Sequence, residues 1–168
     1  MSYEQHKQTS EAIAARCTVI TLSDTRDEST DKSGARIKAL LTEHGHIVAH
    51  YQIIPDDPMQ LDALLRSLIA RDDIDGILTN GGTGISRRDH TIDSIAKHLT
   101  IPLPGFGELF RMLSYEQIGS GAMLSRAVGG IATGKVLFAM PGSTKAVELA
   151  MTRLILPELK HLLGELRK

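Results

Sequence analysis

Two apolar periods alternate along the chain, and that alternation limits the fold more than any other feature. Short runs rich in β-branched residues, at 17–22, 47–54, 76–79 and 136–140, have the length and composition of buried strands. Between them apolar residues recur every three or four positions, the period of a helix face. Ile37, Leu40, Leu41 and His44 share one such face, and Gly45 stands where a left-handed residue would end the helix. Leu61, Leu64, Leu65, Leu68 and Ile69 form a second face behind Pro58, a residue suited to a first helical turn. Ile92, Ile95, Ala96 and Leu99 give a third, and Phe106, Leu109, Phe110 and Leu113 a fourth. The last helix is expected from Ser143, burying Val147, Met151, Leu154, Leu159 and Leu162. Pro157 should kink or restart it, because the ring removes a donor and crowds residue 153.

Strands alternating with helices imply right-handed βαβ units, so the expected class is α/β: three layers, α/β/α, around a mostly parallel sheet. The alternation weakens over 100–135. There, 127–132 and 136–140 flank Thr133-Gly134-Lys135, which predicts a β-hairpin near residues 127–140. No repeat or composition break divides the chain. Residues 16–168 are expected to form one domain behind a polar N-terminal arm at 1–15.

Composition removes several function classes. With 19 basic and 20 acidic side chains the formal charge is −1, which argues against a surface built to grip nucleic acid. The chain has no Trp, three Phe and three Tyr, and so few stacking platforms for bases or a flavin. Cys17 is the single cysteine and lies in an apolar strand without a nearby cation; a buried packing thiol is expected. The first fifteen residues hold no apolar core of a secretory signal, and no apolar run approaches the roughly 20 residues of a bilayer span. A cytoplasmic protein with no membrane partner is the expectation.

Ligands of open α/β sheets bind beyond the carboxyl ends of the strands, so the residues that follow each strand are the site candidates. Ser23-Asp24-Thr25-Arg26-Asp27 follows the first, with Asp31, Ser33 and Gly34 opening the next helix. Pro55-Asp56-Asp57 follows the second. Thr79 and Asn80 lead from the third into Gly81-Gly82-Thr83-Gly84, and Arg87-Arg88-Asp89 comes next. Pro141-Gly142-Ser143-Thr144 follows the last. Four strand ends thus deliver small, hydroxyl, glycine and acidic residues to one rim. Of 15 glycines, 12 lie between Gly76 and Gly142, which sets a turn-rich half apart from the regular half before it.

The glycine turn either lets backbone N–H groups approach an anion or is simply a tight strand-to-helix connection. It is not a dinucleotide fingerprint, since counting from Gly82 puts Arg87 at the third glycine position. The run from Gly129 to Lys135 has Walker A spacing, but Val136 takes the Ser/Thr position and a strand follows, so it is read as the hairpin turn. Arg87 and Arg88 suit phosphate oxygens. Asp89 beside them would repel phosphate unless Mg²⁺ bridged the two, or else it caps the helix beginning near Thr91. Asp56 and Asp57 carry the same ambiguity, and Asp24 and Asp31 fit an Asx-turn and an N-cap. Ser143 is expected as an N-cap, a role compatible with anion binding at the same helix terminus. Ser125-Arg126 is either a phosphate contact or a surface pair. His44, His46 and His50 lack zinc-ligand spacing, and His90 reads as an exposed helix-start residue before it reads as a general base. No nucleophile elbow or Cys–His arrangement is present, which disfavours covalent acyl transfer.

In order along the chain, eight stretches resemble one family. They are Ser23-Asp24-Thr25-Arg26, Asp31-Lys32-Ser33-Gly34, Ile54-Pro55-Asp56, Thr79-Asn80-Gly81-Gly82-Thr83-Gly84, Arg87-Arg88-Asp89, Gly105-Phe106-Gly107-Glu108, Leu124-Ser125-Arg126-Ala127 and Met140-Pro141-Gly142-Ser143. Each resembles its counterpart in the MoaB/MogA molybdenum cofactor biosynthesis proteins, with residues 105–119 nearer MoaB, and the likeness runs from about Thr18 to Leu163. The resemblance implies a MogA-like molybdopterin-binding fold and adenylyl transfer, in which the terminal phosphate of molybdopterin attacks the α-phosphorus of ATP and releases pyrophosphate. It makes Asp56 and Asp89 the essential acidic pair, for which holding Mg²⁺ on ATP is the hypothesis. For phosphate and pterin binding it points to Ser23, Asp24, Ser33, Gly34, Thr79, Gly81, Gly82, Thr83, Gly84, Arg87, Arg88, Glu108, Ser125, Arg126, Pro141, Gly142 and Ser143. Asn80 departs from the more usual Thr or Ser. A homo-oligomer, trimer or hexamer, is implied, with other cofactor-assembly enzymes as further partners.

Some MoaB proteins lack the acidic pair, so the alternative is a non-catalytic molybdopterin-binding scaffold of the pathway; this chain has both aspartates. A phosphate nucleophile is already ionised at neutral pH, which agrees with the missing covalent-catalysis set. A flavodoxin-like mononucleotide binder is a more distant reading and predicts a flavin or nucleotide co-purifying.

Overall fold

Within residues 12–168, which the computed structural model describes, each expected run is a strand. β1 (Arg16–Leu22), β2 (Ile47–Ile54), β3 (Gly76–Asn80), β4 (Ile101–Pro102), β5 (Val128–Ala132) and β6 (Lys135–Met140) form one sheet in the order β2-β1-β3-β6-β5-β4. β1 runs parallel to β2 and β3, and β3 parallel to β6, so four strand ends finish at the same rim. The expected hairpin is present: Ala132 pairs with Lys135 across Thr133 (φ +47) and Gly134 (φ +79). Left-handed backbone at both turn residues is what a two-residue hairpin loop requires.

Among the described residues six helices cover the sheet: α1 (Lys32–Glu43), α2 (Pro58–Ile69), α3 (Thr91–His98), α4 (Pro104–Ile118), α5 (Thr144–Ala150) and α6 (Leu156–Leu166). The two-residue period of β1 sorts them into layers. Cys17 and Val19 pack with Ile37 and Leu41 of α1, Phe110 of α4, Val147 of α5 and Leu159 of α6. Ile20 and Leu22 face the other way, toward Leu61 and Leu65 of α2 and Ile95 of α3. This is the three-layer α/β/α arrangement, with a mostly parallel sheet in the middle.

Several local expectations are corrected. β2 is an edge strand and half open, with Ile47 52% exposed, because among the described residues only β1 flanks it. β4 carries no pattern of its own; Thr100 N and Leu103 N, donating to Ile131 O at 2.7 Å and Gly129 O at 2.8 Å, hold it to β5. His44, Ala96 and Leu109 turn away from the buried faces, His44 sitting at the C-cap of α1. The restart expected at Pro157 is present: the last helix is two helices joined by a π-turn, Met151–Ile155. Pro157 supplies the reason, since its missing N–H leaves the Arg153 carbonyl without an i+4 donor and the ladder widens locally.

Of the N-terminal arm, residues 1–11 lie outside the described residues. Ile13 packs against the core and Ala15 is fully buried. The Ala15 N–H donates to His46 Nδ1 at 3.1 Å and its carbonyl accepts from Ile47 N at 2.8 Å. Cys17 is a buried thiol, pushed up to about 12 by burial.

Candidate functional site

The strand ends surround an open cavity of about 410 Å³. Its walls come from three places: 22–26 after β1, Asp56 after β2, and 81–84 with Asp89 after β3; Gly142 after β6 closes it. The loops are locked by their own short-range chemistry. Ser23 Oγ accepts from Thr25 N at 3.3 Å and Arg26 N at 3.1 Å, and Ser23 N donates to Ile54 O at 2.9 Å. Arg26 then ties two distant segments together, donating to Ser33 Oγ at 2.7 Å and to Gly142 O at 3.0 Å.

Beneath the cavity lies a buried polar network centred on Asp31. Its carboxylate accepts from Thr21 Oγ1 at 2.6 Å, Tyr51 OH at 2.7 Å and, as the N-cap of α1, Gly34 N at 3.0 Å. Burial works to raise this carboxyl, but the donors outweigh it and hold it below its ordinary range. Asn80 Nδ2 donates to Thr21 Oγ1 at 2.9 Å, and Ser33 Oγ lies 2.8 Å from Asn80 Oδ1. A Thr or Ser at position 80 has no such two-ended reach, which is what Asn80 adds here.

The glycine turn sits directly on this floor. Gly81 (φ +96) donates its N–H to Met140 O at 3.1 Å, so that group is not open to an anion. Gly82 (φ +61) and Thr83 keep N–H groups with no protein acceptor among the described residues. Two carboxylates flank the turn. A Cβ at Gly82 would overlap Asp56 Oδ1, and one at Gly84 would stand 2.8 Å from Asp89 Oδ2. Asp89 accepts from Ser86 N at 2.9 Å and Ser86 Oγ at 2.5 Å, which pulls its carboxyl below the usual range. Asp56 is pushed up, first by burial and then by the charges of Asp89 and Asp24. Neither is a helix cap. α2 is capped by Asp57, which accepts from Met59 N and Gln60 N, and α3 has His90 at its N-cap with no side-chain cap bond.

The remaining candidates divide by location. Ser33 and Gly34 are buried and belong to the floor; Thr79 is buried in β3 outside that network, with Oγ1 donating to Phe138 O at 3.4 Å. Arg88 is exposed and forms a 2.6 Å ion pair with Asp24, whose other oxygen accepts from Asp56 N at 3.2 Å. Arg126 reaches the turn from the far side, donating to Gly84 O at 3.0 Å. Ser143 caps α5 by accepting from Ala146 N at 3.2 Å, and Pro141 precedes the Gly142 wall. Arg87, Glu108 and Ser125 are not among the residues around the cavity. Arg26, absent from the expected binding set although it closes the loop quoted for it, is the positioning residue that sequence reasoning missed.

Among the described residues no three His, Cys, Asp or Glu side chains converge to hold a metal unaided. Two carboxylates that border one cavity, the charge of Asp89 helping to raise Asp56, do fit a cation delivered on a nucleotide, because Mg²⁺ is commonly held by one or two carboxylates plus substrate phosphates. No described helix is long and apolar enough to cross a membrane.

A mostly parallel sheet whose strand ends bring turn N–H groups, arginines and two carboxylates together defines an α/β protein with its candidate site beyond the carboxyl ends of the strands. Residues 18–161 match the family model described as "Probable molybdopterin binding domain". The chain is 51% identical over 169 residues to molybdenum cofactor biosynthesis protein B of Halalkalibacterium halodurans, covering all of this chain and 99% of that one. A crystal structure of a molybdenum cofactor biosynthesis protein B superposes with a TM-score of 0.90 at 52% identity, covering 92% of this chain and 97% of the other. The tungsten cofactor synthesizing protein MoaB of Pyrococcus furiosus gives 0.82 at 39% identity, over 92% and 98% of the two chains. The chain belongs to the molybdopterin-binding-domain family, as a molybdenum cofactor biosynthesis protein B homologue.

Proposed function

We propose that the chain adenylylates molybdopterin. The terminal phosphate oxygen of molybdopterin forms a bond to the α-phosphorus of ATP, the bond from that phosphorus to the bridging oxygen breaks, and pyrophosphate leaves. The observation that carries this reading is the pair Asp56 and Asp89, which flank the Gly82–Gly84 turn at one cavity, one carboxyl raised and the other lowered. Asp56 and Asp89 would hold Mg²⁺ carried by ATP. When bound, that ion would neutralise phosphate charge. The N–H groups of Gly82 and Thr83 would receive phosphate oxygens, and Arg88 would turn from Asp24 toward the charge that develops on the leaving group. Arg26 and Asp31 would keep the loops after β1 and β6 in register.

Mixing the protein with ATP, Mg²⁺ and molybdopterin should release pyrophosphate. Asp89→Asn should abolish release while molybdopterin binding stays measurable, and Asp56→Asn should do the same. Full turnover by either variant would refute the assignment; binding without release by the wild type would favour the non-catalytic pterin-binding scaffold. The same reading takes the chain as a cytoplasmic homo-oligomer, trimer or hexamer. The exposed Leu109, Met112, Tyr115 and Ile118 of α4 supply an apolar face for self-association.

A further inference from the structure

Thr91 opens α3 and is 1% exposed, yet its hydroxyl has no hydrogen-bond partner among the described residues. A buried hydroxyl without a partner is destabilising, so its persistence needs a reason. Its surroundings supply one. A Cβ at Gly82 would overlap Thr91 Oγ1 as well as Asp56 Oδ1, so the missing side chain of Gly82 leaves a gap bordered by these two oxygens. Thr91 N donates to Gly82 O at 3.1 Å, which fixes the threonine against the turn. Asp56 and Thr91 also line one small space together with Leu22, Asp57, Pro58, Leu61 and His90. Within that space the carboxylate of Asp56 is the acceptor that the Thr91 hydroxyl faces across the gap.

We propose that Thr91 is a positioning residue for Asp56, donating its hydroxyl hydrogen across the Gly82 gap to Oδ1 once the nucleotide and its cation bind. Held at Oδ1, the carboxylate presents its second oxygen to the cavity. This role rests on the reading of Asp56 as a ligand of nucleotide-borne Mg²⁺. It also accounts for glycine at position 82 beyond the backbone angle, because any side chain would block the contact.

Mn²⁺ binding in the presence of a non-hydrolysable ATP analogue, followed by electron paramagnetic resonance, tests this without turnover. Thr91→Val keeps the shape and removes the hydroxyl, and should weaken Mn²⁺–nucleotide binding roughly tenfold. Thr91→Ser should restore wild-type binding, and without ligand Thr91→Val should melt no lower than the wild type, because it removes an unpaired buried hydroxyl. Wild-type affinity in Thr91→Val would overturn the proposal, as would a Thr91→Ser variant as weak as Thr91→Val. If the wild type binds no Mn²⁺–nucleotide, the Mg–ATP reading of Asp56 fails and takes this role with it. Binding by the wild type with no change in Thr91→Val removes the Thr91 role alone.

Discussion

Arg88 and Asp24 meet in a 2.6 Å ion pair at the mouth of the cavity, and the other Asp24 oxygen accepts from the Asp56 backbone N–H. The pair links the glycine-turn segment to the first loop while leaving the arginine 71% exposed. An ion pair so open contributes little to stability. Arg88→Ala should therefore change unfolding free energy by less than about 0.5 kcal/mol. Pyrophosphate release should fall roughly a hundredfold, because a guanidinium facing phosphate charge is lost. Thermal melts and the release assay, run on the same preparation, check both halves.

Asp75 gives the fold an acid-sensitive clasp at the opposite end of the sheet. Arg16 Nε donates to it at 2.9 Å, Arg16 N at 2.8 Å and Arg167 at 3.2 Å, and these contacts lower its carboxyl from 3.8 to about 2. The folded state therefore binds the proton more weakly than the unfolded chain. The stabilisation is fully present above the ordinary carboxylate range and is lost as pH falls from about 4 toward about 2. Asp75→Asn should cost on the order of 2 kcal/mol at neutral pH, with the gap to wild type closing through that window. Urea denaturation at stepped pH measures it.

Tyr51 donates to the buried Asp31 carboxylate at 2.7 Å, so Tyr51→Phe should destabilise by roughly 1–2 kcal/mol. In an Asp31→Asn background the same change should cost less than about 0.5 kcal/mol, since the charged acceptor is gone. A double-mutant cycle by chemical denaturation reads the coupling directly.

Cys17 is fully buried with its thiol pushed up to about 12. A thiol-directed reagent at pH 8 should leave the folded protein unmodified and label one thiol per chain after unfolding.

The layers of this fold were legible because each rests on a local period. The β-branched runs, the leucine face of α2 and the Thr133-Gly134 turn all declare themselves within a dozen residues. β4 was invisible because its two residues have no pattern, and pairing with β5 alone makes them a strand. In the site, the glycine turn and both aspartates were readable from their position after strands. Ser33 and Thr79 were misplaced because strand ends deliver hydroxyls both to the rim and beneath it, and only packing decides which. Arg26 was missed for a different reason: its bond to Gly142 joins residues 116 positions apart, and no spacing rule reports that contact.

The two borders of the sheet also differ as templates for a foreign strand. β4 is two residues long and ends in Pro102, which has no N–H to offer an incoming chain. Among the described residues β2, eight residues long and half open, is the longer of the two border strands. Unwanted backbone pairing during folding is therefore expected at β2 before β4, and charge or proline introduced there should suppress it.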